Sequence, residues 1–165
     1  MKMVFDLDMD KCVACGACSI ACMDQNDTAP EQGDIPYRWV GALEPVLGGG
    51  TFHYLSVSCM HCADAPCVTA CPVCCISKDE NGLTVYDNTA CIGCHSCAMA
   101  CPYGVPHYGS DGKMTKCVGC AERIKYGYQP ACVRVCPTGA LVCMTEEEYE
   151  AQKPKSSLRQ SNQTE

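Results

Sequence analysis

Sixteen of the nineteen cysteines in this 165-residue chain fall into four short runs with related internal spacing. The first is Cys12-x2-Cys15-x2-Cys18-x3-Cys22, and the second is Cys59-x2-Cys62-x4-Cys67-x3-Cys71-Pro72. The third is Cys91-x2-Cys94-x2-Cys97-x3-Cys101-Pro102, and the fourth is Cys117-x2-Cys120-x11-Cys132-x3-Cys136-Pro137. A 4Fe–4S cube needs four thiolates. The tight C-x2-C-x2-C turn wraps three of them around one cube. The fourth Cys, three residues on and usually followed by Pro, points away to a second cube. Four such runs in so short a chain point to electron transfer.

At 17.7 kDa the chain is one compact unit or two small ones. Only 7% of residues are aromatic and Phe occurs twice, while the 47% hydrophobic fraction includes the cysteines. The true apolar core is therefore thin. Inorganic cubes would replace it by tying distant thiolates together, so the chain is expected not to fold without metal. The formal charge is −7. Oxidised cubes with four thiolates carry about −2 each, bringing the total to about −15 with four of them. That charge argues against nucleic-acid binding. Lys11, Lys78, Lys116, Arg123, Lys125 and Arg134, near the motifs, read as local charge compensation or as ordinary solvated side chains.

Competing uses of the cysteines are weaker. A disulfide framework fits poorly with an odd count and with an acidic Met1–Cys12 stretch where a secretory signal would be basic. No run of ~18 apolar residues exists, so no membrane span is expected. The chain reads as cytoplasmic by its own sequence, with an extracytoplasmic site open if a partner's signal carries it out folded. Structural zinc uses cysteine pairs about 12–20 residues apart, a test that the fourth run would pass by itself and that the first and third would not. Cys67-x3-Cys71-x2-Cys74 has radical-SAM spacing, but the chain is too short for the barrel such enzymes need. Cys74, Cys75 and Cys143 lie outside the runs. Cys74 and Cys75 occupy the places of Gly139 and Ala140 after the fourth run, where small buried residues fit. His61 and His95 sit inside cysteine loops and can donate hydrogen bonds to sulfur, which raises a potential. No catalytic constellation is visible: no nucleophile motif, phosphate loop, flavin or nicotinamide fingerprint.

Short strand-like stretches flank the runs: Val4–Asp8, Phe52–Ser58, Gly82–Asp87 and Ala140–Met144. The expected fold class is α+β. Two bacterial-ferredoxin-like dicluster modules with a pseudo-twofold relation would place short β-hairpins and short helices around four clusters. Residues 1–25 with 109–144 form the first module, and 52–108 the second. Residues 26–51 read as a surface excursion, with Gly48-Gly49-Gly50 as a turn. Trp39, beside Arg38 and Tyr37, packs a small satellite core or anchors a partner. In 145–165, Thr145-x-x-Glu148 is a capping box for a helix from Glu146 to about Gln152. Pro154 ends it and a polar tail follows.

Several stretches together resemble the four-cluster electron-transfer subunit of the dimethyl sulfoxide reductase family of molybdopterin oxidoreductases. They are Asp10–Cys18, Tyr54–Cys62, Cys91-Ile92-Gly93-Cys94 with Cys101–Pro106, and Met114–Cys117. The resemblance covers about residues 1–144. It implies cross-pairing of the runs, first with fourth and second with third. One 4Fe–4S cluster would take Cys12, Cys15, Cys18 and Cys136, and its neighbour Cys117, Cys120, Cys132 and Cys22. A third would take Cys59, Cys62, Cys67 and Cys101, and a fourth Cys91, Cys94, Cys97 and Cys71. The implied partners are a large molybdopterin-binding catalytic subunit carrying Mo or W, and a second redox subunit, either a membrane anchor or a soluble carrier. The chain departs from the family in its short tail, its minimal Tyr108–Lys116 loop and the Cys74-Cys75 pair. The alternatives are a free-standing polyferredoxin, or the iron–sulfur subunit of a soluble formate dehydrogenase or hydrogenase complex.

Overall fold

Each stretch of regular structure is short, because the cysteine loops interrupt the chain before a long helix or strand can form. The structure is a computed structural model that describes residues 2–43 and 52–152. The Gly48-Gly49-Gly50 turn, Pro154 and the polar tail lie outside the described residues. Strand β1 (Met3–Leu7) leads into the first run, and helix α1 (Ala17–Gln25) carries Cys18 and Cys22. Strands β2 (Trp39–Leu43) and β3 (His53–Val57) precede the second run. Helix α2 (Pro66–Thr69) then holds Cys67, with Pro66 in its first turn, where a missing N–H is harmless. Strands β4 (Ile76–Lys78) and β5 (Thr84–Tyr86) are followed by helix α3 (Ser96–Ala100). Strands β6 (His107–Tyr108) and β7 (Met114–Thr115) lead to helices α4 (Ala121–Lys125) and α5 (Ala131–Arg134). Strand β8 (Leu141–Thr145) and helix α6 (Glu146–Gln152) close the described chain.

The described strands form four antiparallel two-stranded ribbons: β1 with β8, β2 with β3, β4 with β5, and β6 with β7. A lone two-stranded ribbon is marginal in water. These ribbons are buttressed by two small cores. One gathers Leu7, Cys18, Cys132, Ala140 and Leu141, drawing on both ends of the chain. The other gathers Ala65, Cys67, Cys75, Ile76, Cys97 and Met114. The β1–β8 register, Met3 opposite Thr145 through Leu7 opposite Leu141, brings the first run beside the fourth. Helix α1 packs on α5, and α2 on α3. No helix among the described residues is long and apolar enough to cross a membrane.

The backbone repeats with the sequence. The residue before the second Cys of each run adopts a left-handed conformation: Ala14 (φ 50°), His61 (φ 49°), Gly93 (φ 65°) and Gly119 (φ 68°). In the first and fourth runs the two cysteines around that turn, Cys12 with Cys15 and Cys117 with Cys120, line the same cavity. The third residue after the final Cys is also left-handed in three runs: Cys74 (φ 53°), Gly104 (φ 62°) and Gly139 (φ 64°).

Several sequence expectations change. The 26–51 excursion contains β2, which pairs with β3 from Trp39 opposite Val57 to Leu43 opposite His53. Trp39 is 55% exposed and packs no satellite core, whereas its neighbour Arg38 is only 3% exposed. Alternation along an extended segment turns one outward and the other inward. The Tyr108–Lys116 loop is part of a hairpin whose turn is closed by Gly109 N–H to Lys113 O and Gly112 N–H to Gly109 O. Cys74 is exposed rather than buried, while Cys75 is buried as Ala140 is.

Candidate functional site

Cysteines from the first and fourth runs meet around two cavities. Cys12, Cys15, Cys18 and Cys136 line one, with about 310 Å³ of empty space. Cys22, Cys117, Cys120 and Cys132 line the other, also with about 310 Å³. The helices explain the division. Cys18 and Cys22 lie four residues apart on α1, about 6 Å along its axis, and each reaches a different cavity. Cys132 on α5 and Cys136 just beyond it do the same in the opposite sense. No three thiols among the described residues converge on a point that a single metal ion could occupy. Four soft sulfur donors spread around a cavity fit a polynuclear iron–sulfur cluster.

The second and third runs also mix. Cys67, Cys75 and Cys97 share one small core, with Cys62, Cys71 and Cys91 packed against it; burial pushes the Cys67 thiol up, Lys116 opposes that, and Cys101 and Cys62 add to it. Burial pushes Cys59 up to about 11, again opposed by Lys116. The Cys94 thiol of the third run is lowered by its hydrogen bond with Ser96, at 3.5 Å. Cys75 is pushed up to about 12, first by burial and then by Cys71 and Cys91. Its Sγ is 3.4 Å from Cys71 Sγ.

Burial pushes Cys22 up to about 12, with Cys117 and Cys132 adding to the effect. Buried neighbouring thiols resist ionisation, and bound metal is what favours their thiolate form. The protein supplies cations for the same purpose. Arg38 lines the second cavity and donates to Ser56 O (3.1 Å), Ser56 Oγ (2.9 Å) and Ser58 Oγ (2.7 Å). Burial opposes its charge, but Cys132, Cys117, Cys18 and Cys22, in their thiolate form, outweigh that and raise its pKa. Lys78 donates to His61 O (3.0 Å), Gly82 O (2.9 Å) and Cys62 O. Lys116 is 1% exposed. Of the six basic residues expected to compensate charge, Lys116 is buried and Lys78 half-buried, and both stand near thiols of the second run. Arg38 is not among those six: it stands far from any cysteine run in the sequence, and the adjacent Trp39 points instead to an interface.

Donors to sulfur come from unexpected places. His61 Nε2 lies 3.8 Å from Cys117 Sγ, in the fourth run rather than its own. Burial, with Lys116, Lys78 and Arg38 nearby, holds this imidazole well below the ordinary histidine range. His95 instead stacks on Tyr108 at 3.7 Å between ring centres, and the Tyr108 hydroxyl is 3.2 Å from Cys97 Sγ. Ser56 Oγ is 3.2 Å from Cys18 Sγ, and Asn26 Nδ2 is 3.6 Å from Cys22 Sγ. Backbone N–H groups of Met114 and Gly119 donate to Cys91 Sγ (3.4 Å) and Cys117 Sγ (3.3 Å). Cys143, on β8, sits near Cys132 and Cys120, and burial foremost pushes it up to about 12. No local sequence signal marks Tyr108, Ser56 or Asn26 as a donor to sulfur.

Comparison with known proteins fits this geometry. The 4Fe–4S dicluster domain family matches residues 51–146. The chain is 41% identical over 150 residues to YnfG, a probable anaerobic dimethyl sulfoxide reductase subunit of Escherichia coli K12, covering 83% of this chain and 70% of that one. The B subunit of anaerobic dimethyl sulfoxide reductase from Haemophilus influenzae is 39% identical, over 83% of this chain and 71% of that one. The thiosulfate reductase electron transfer subunit PhsB of Salmonella typhi is 40% identical, over 88% and 77% respectively. This protein therefore belongs to the 4Fe–4S dicluster family, among the iron–sulfur subunits typified by the B subunit of anaerobic dimethyl sulfoxide reductase.

Proposed function

We propose that this chain carries electrons through four 4Fe–4S clusters between a molybdopterin catalytic subunit, holding Mo or W, and a downstream redox partner. The observation that carries the reading is the pair of cavities, each lined by three cysteines of one run and one of another. The proposed ligand sets are Cys12, Cys15, Cys18 with Cys136; Cys117, Cys120, Cys132 with Cys22; Cys59, Cys62, Cys67 with Cys101; and Cys91, Cys94, Cys97 with Cys71. Two dicluster modules follow: residues 1–25 with 109–144, supported by the β1–β8 ribbon and the α1–α5 packing, and 52–108, supported by the α2–α3 packing. When bound, such clusters supply reversible one-electron oxidation and reduction.

The chain's own residues do the rest. The left-handed turns present the thiols, Arg38, Lys78 and Lys116 offset their charge, and the small cores limit water. Partners are supported by exposed apolar side chains within or beside the cysteine loops. These include Val13 (55% exposed), Ile20, Ile92, Met99 (80%), Tyr103 and Tyr126. No pterin-binding or substrate-binding constellation belongs to this chain in the proposal, so the chemistry on substrate falls to the catalytic subunit. Anaerobic purification from the native source tests it. The expected result is sixteen irons and sixteen sulfides per chain, together with a large Mo- or W-containing subunit. Eight or fewer irons, or stoichiometric zinc, would overturn the cluster count. A fully loaded 17.7 kDa monomer with no such subunit in any fraction would favour a free polyferredoxin.

A further inference from the structure

The second and fourth cysteine loops each send one nitrogen donor to a sulfur of the other. His61 lies between Cys59 and Cys62, yet its Nε2 faces Cys117 Sγ at 3.8 Å. Its Nδ1 accepts the Thr84 N–H at 3.0 Å, which leaves the ring proton on Nε2, pointing at the sulfur. The ring stacks on Phe5 at 5.5 Å. A Cβ added to Gly119 would stand 3.2 Å from Nε2, so the pocket holds the imidazole closely. In return Lys116, one residue before Cys117, directs Nζ toward Cys59 Sγ at 4.0 Å. Its other two donors go to Cys117 O (2.9 Å) and Thr84 O. Three donors thus meet two carbonyls and one sulfur, and none of these partners is a carboxylate. Thr84 orients both residues, His61 through its N–H and Lys116 through its carbonyl.

We propose that His61 and Lys116 are a crossed pair of positioning residues that set the reduction potentials of the two adjoining clusters, His61 for the Cys117 set and Lys116 for the Cys59 set. This rests on the ligand sets of the proposed function. A donor or cation held against a cysteinyl sulfur stabilises the more negative, reduced state and raises the potential. Burial removes the water that would screen the effect. The neutral imidazole offers one hydrogen bond, while the ammonium brings a full charge, so Lys116 has the larger influence. The crossing also ties each potential to the neighbouring loop, so neither site keeps its potential if the two loops separate.

The test is a potentiometric titration followed by EPR, on the full chain in its native complex. His61→Asn keeps an acceptor for Thr84 N–H and tolerates the left-handed backbone, but loses the reach to Cys117. Lys116→Met removes the charge at similar length, and Lys116→Arg restores it. The expected result is sixteen irons in every variant. One transition falls by roughly threefold in reduction equilibrium in His61→Asn, the size of a weak hydrogen bond. A different transition falls by roughly tenfold in Lys116→Met, about 59 mV for one electron, and returns toward wild type in Lys116→Arg. Four unchanged transitions with full iron would overturn the proposal while leaving the ligand sets intact. Lost iron in His61→Asn would also overturn it, making the residue structural. Fewer than sixteen irons in the wild type would instead remove the four-cluster reading on which it stands.

Discussion

Cys74 holds a left-handed backbone (φ 53°) that its counterparts Gly104 and Gly139 adopt without a Cβ penalty. A non-glycine residue there is strained by roughly 1 kcal/mol. Cys74→Gly is therefore expected to leave iron content unchanged and to raise stability by up to about 1 kcal/mol, less the greater freedom of glycine in the unfolded chain. Anaerobic thermal unfolding with iron analysis checks this, and loss of a cluster would make Cys74 a ligand. The opposite holds at Gly93. A Cβ there would lie 2.6 Å from the Gly112 carbonyl oxygen, at a φ of 65°. Backbone cannot yield as a flexible side chain does, so Gly93→Ala should destabilise by roughly 2–3 kcal/mol. The same unfolding measurement reads it. Cys75 touches Cys71 Sγ, but the second run already supplies four thiols. Cys75→Ala is expected to retain all clusters.

At the scale of elements, α1 is the clearest device. It carries Cys18 and Cys22 one helical turn apart and directs them to separate cavities. Cys22→Ser is accordingly expected to damage the cluster of the Cys117, Cys120 and Cys132 set and spare that of Cys12. Mössbauer or EPR spectra of the variant, compared with those of Cys12→Ser, distinguish the two, and identical spectral losses would refute the division. Helix α6 shows a local rule obeyed. Glu148 N–H donates to Thr145 Oγ1 (3.2 Å), and Thr145 N–H donates to Glu148 Oε2 (2.8 Å). This is a capping box. Thr145→Ala should weaken the helix by about 1 kcal/mol, seen as faster amide exchange in Glu146–Gln152. Bonds from Thr145 lower the Glu148 pKa below the usual glutamate range. A depressed carboxyl stabilises the fold above its unfolded pKa, and that contribution fades as pH falls through the lowered value. Acidification should therefore shrink the exchange protection of α6 in the wild type and reduce the difference from Thr145→Ala.

For the whole molecule, the two cores are small, and five of their eleven buried residues are cysteines. Every described ribbon has two strands, and no described helix exceeds nine residues. Such elements gain little from apolar burial alone, so most of the stabilisation must come from metal–sulfur bonding. Removing iron with a strong chelator under anaerobic conditions is expected to abolish the ribbons, read as loss of far-UV circular dichroism. A cluster-free chain with native dichroism would show that the protein fold stands without its metal.

The cysteine runs, the capping box at Thr145 and Glu148, and the strands beside the runs were legible because each is local. Residue spacing and backbone stereochemistry limit what a C-x2-C-x2-C turn or a Thr-x-x-Glu step can do. The left-handed positions at Gly93, Gly119 and Gly139 follow from the same local logic, though Ala14, His61 and Cys74 show that glycine is not required. Other features came only from tertiary structure. β2 forms because β3 offers a partner edge, and Arg38 turns inward because serines and thiols surround it. Tyr108 reaches Cys97 only because the β6–β7 hairpin folds back, and His61 finds Cys117 across 56 residues of chain. Such pairings depend on which distant segments share a buried space, and burial converts an ordinary lysine, arginine or histidine into a fixed charge or donor beside sulfur. The sequence by itself determined which residues are suited to hold iron; their partners in space, and the polar groups that surround them, were decided by packing.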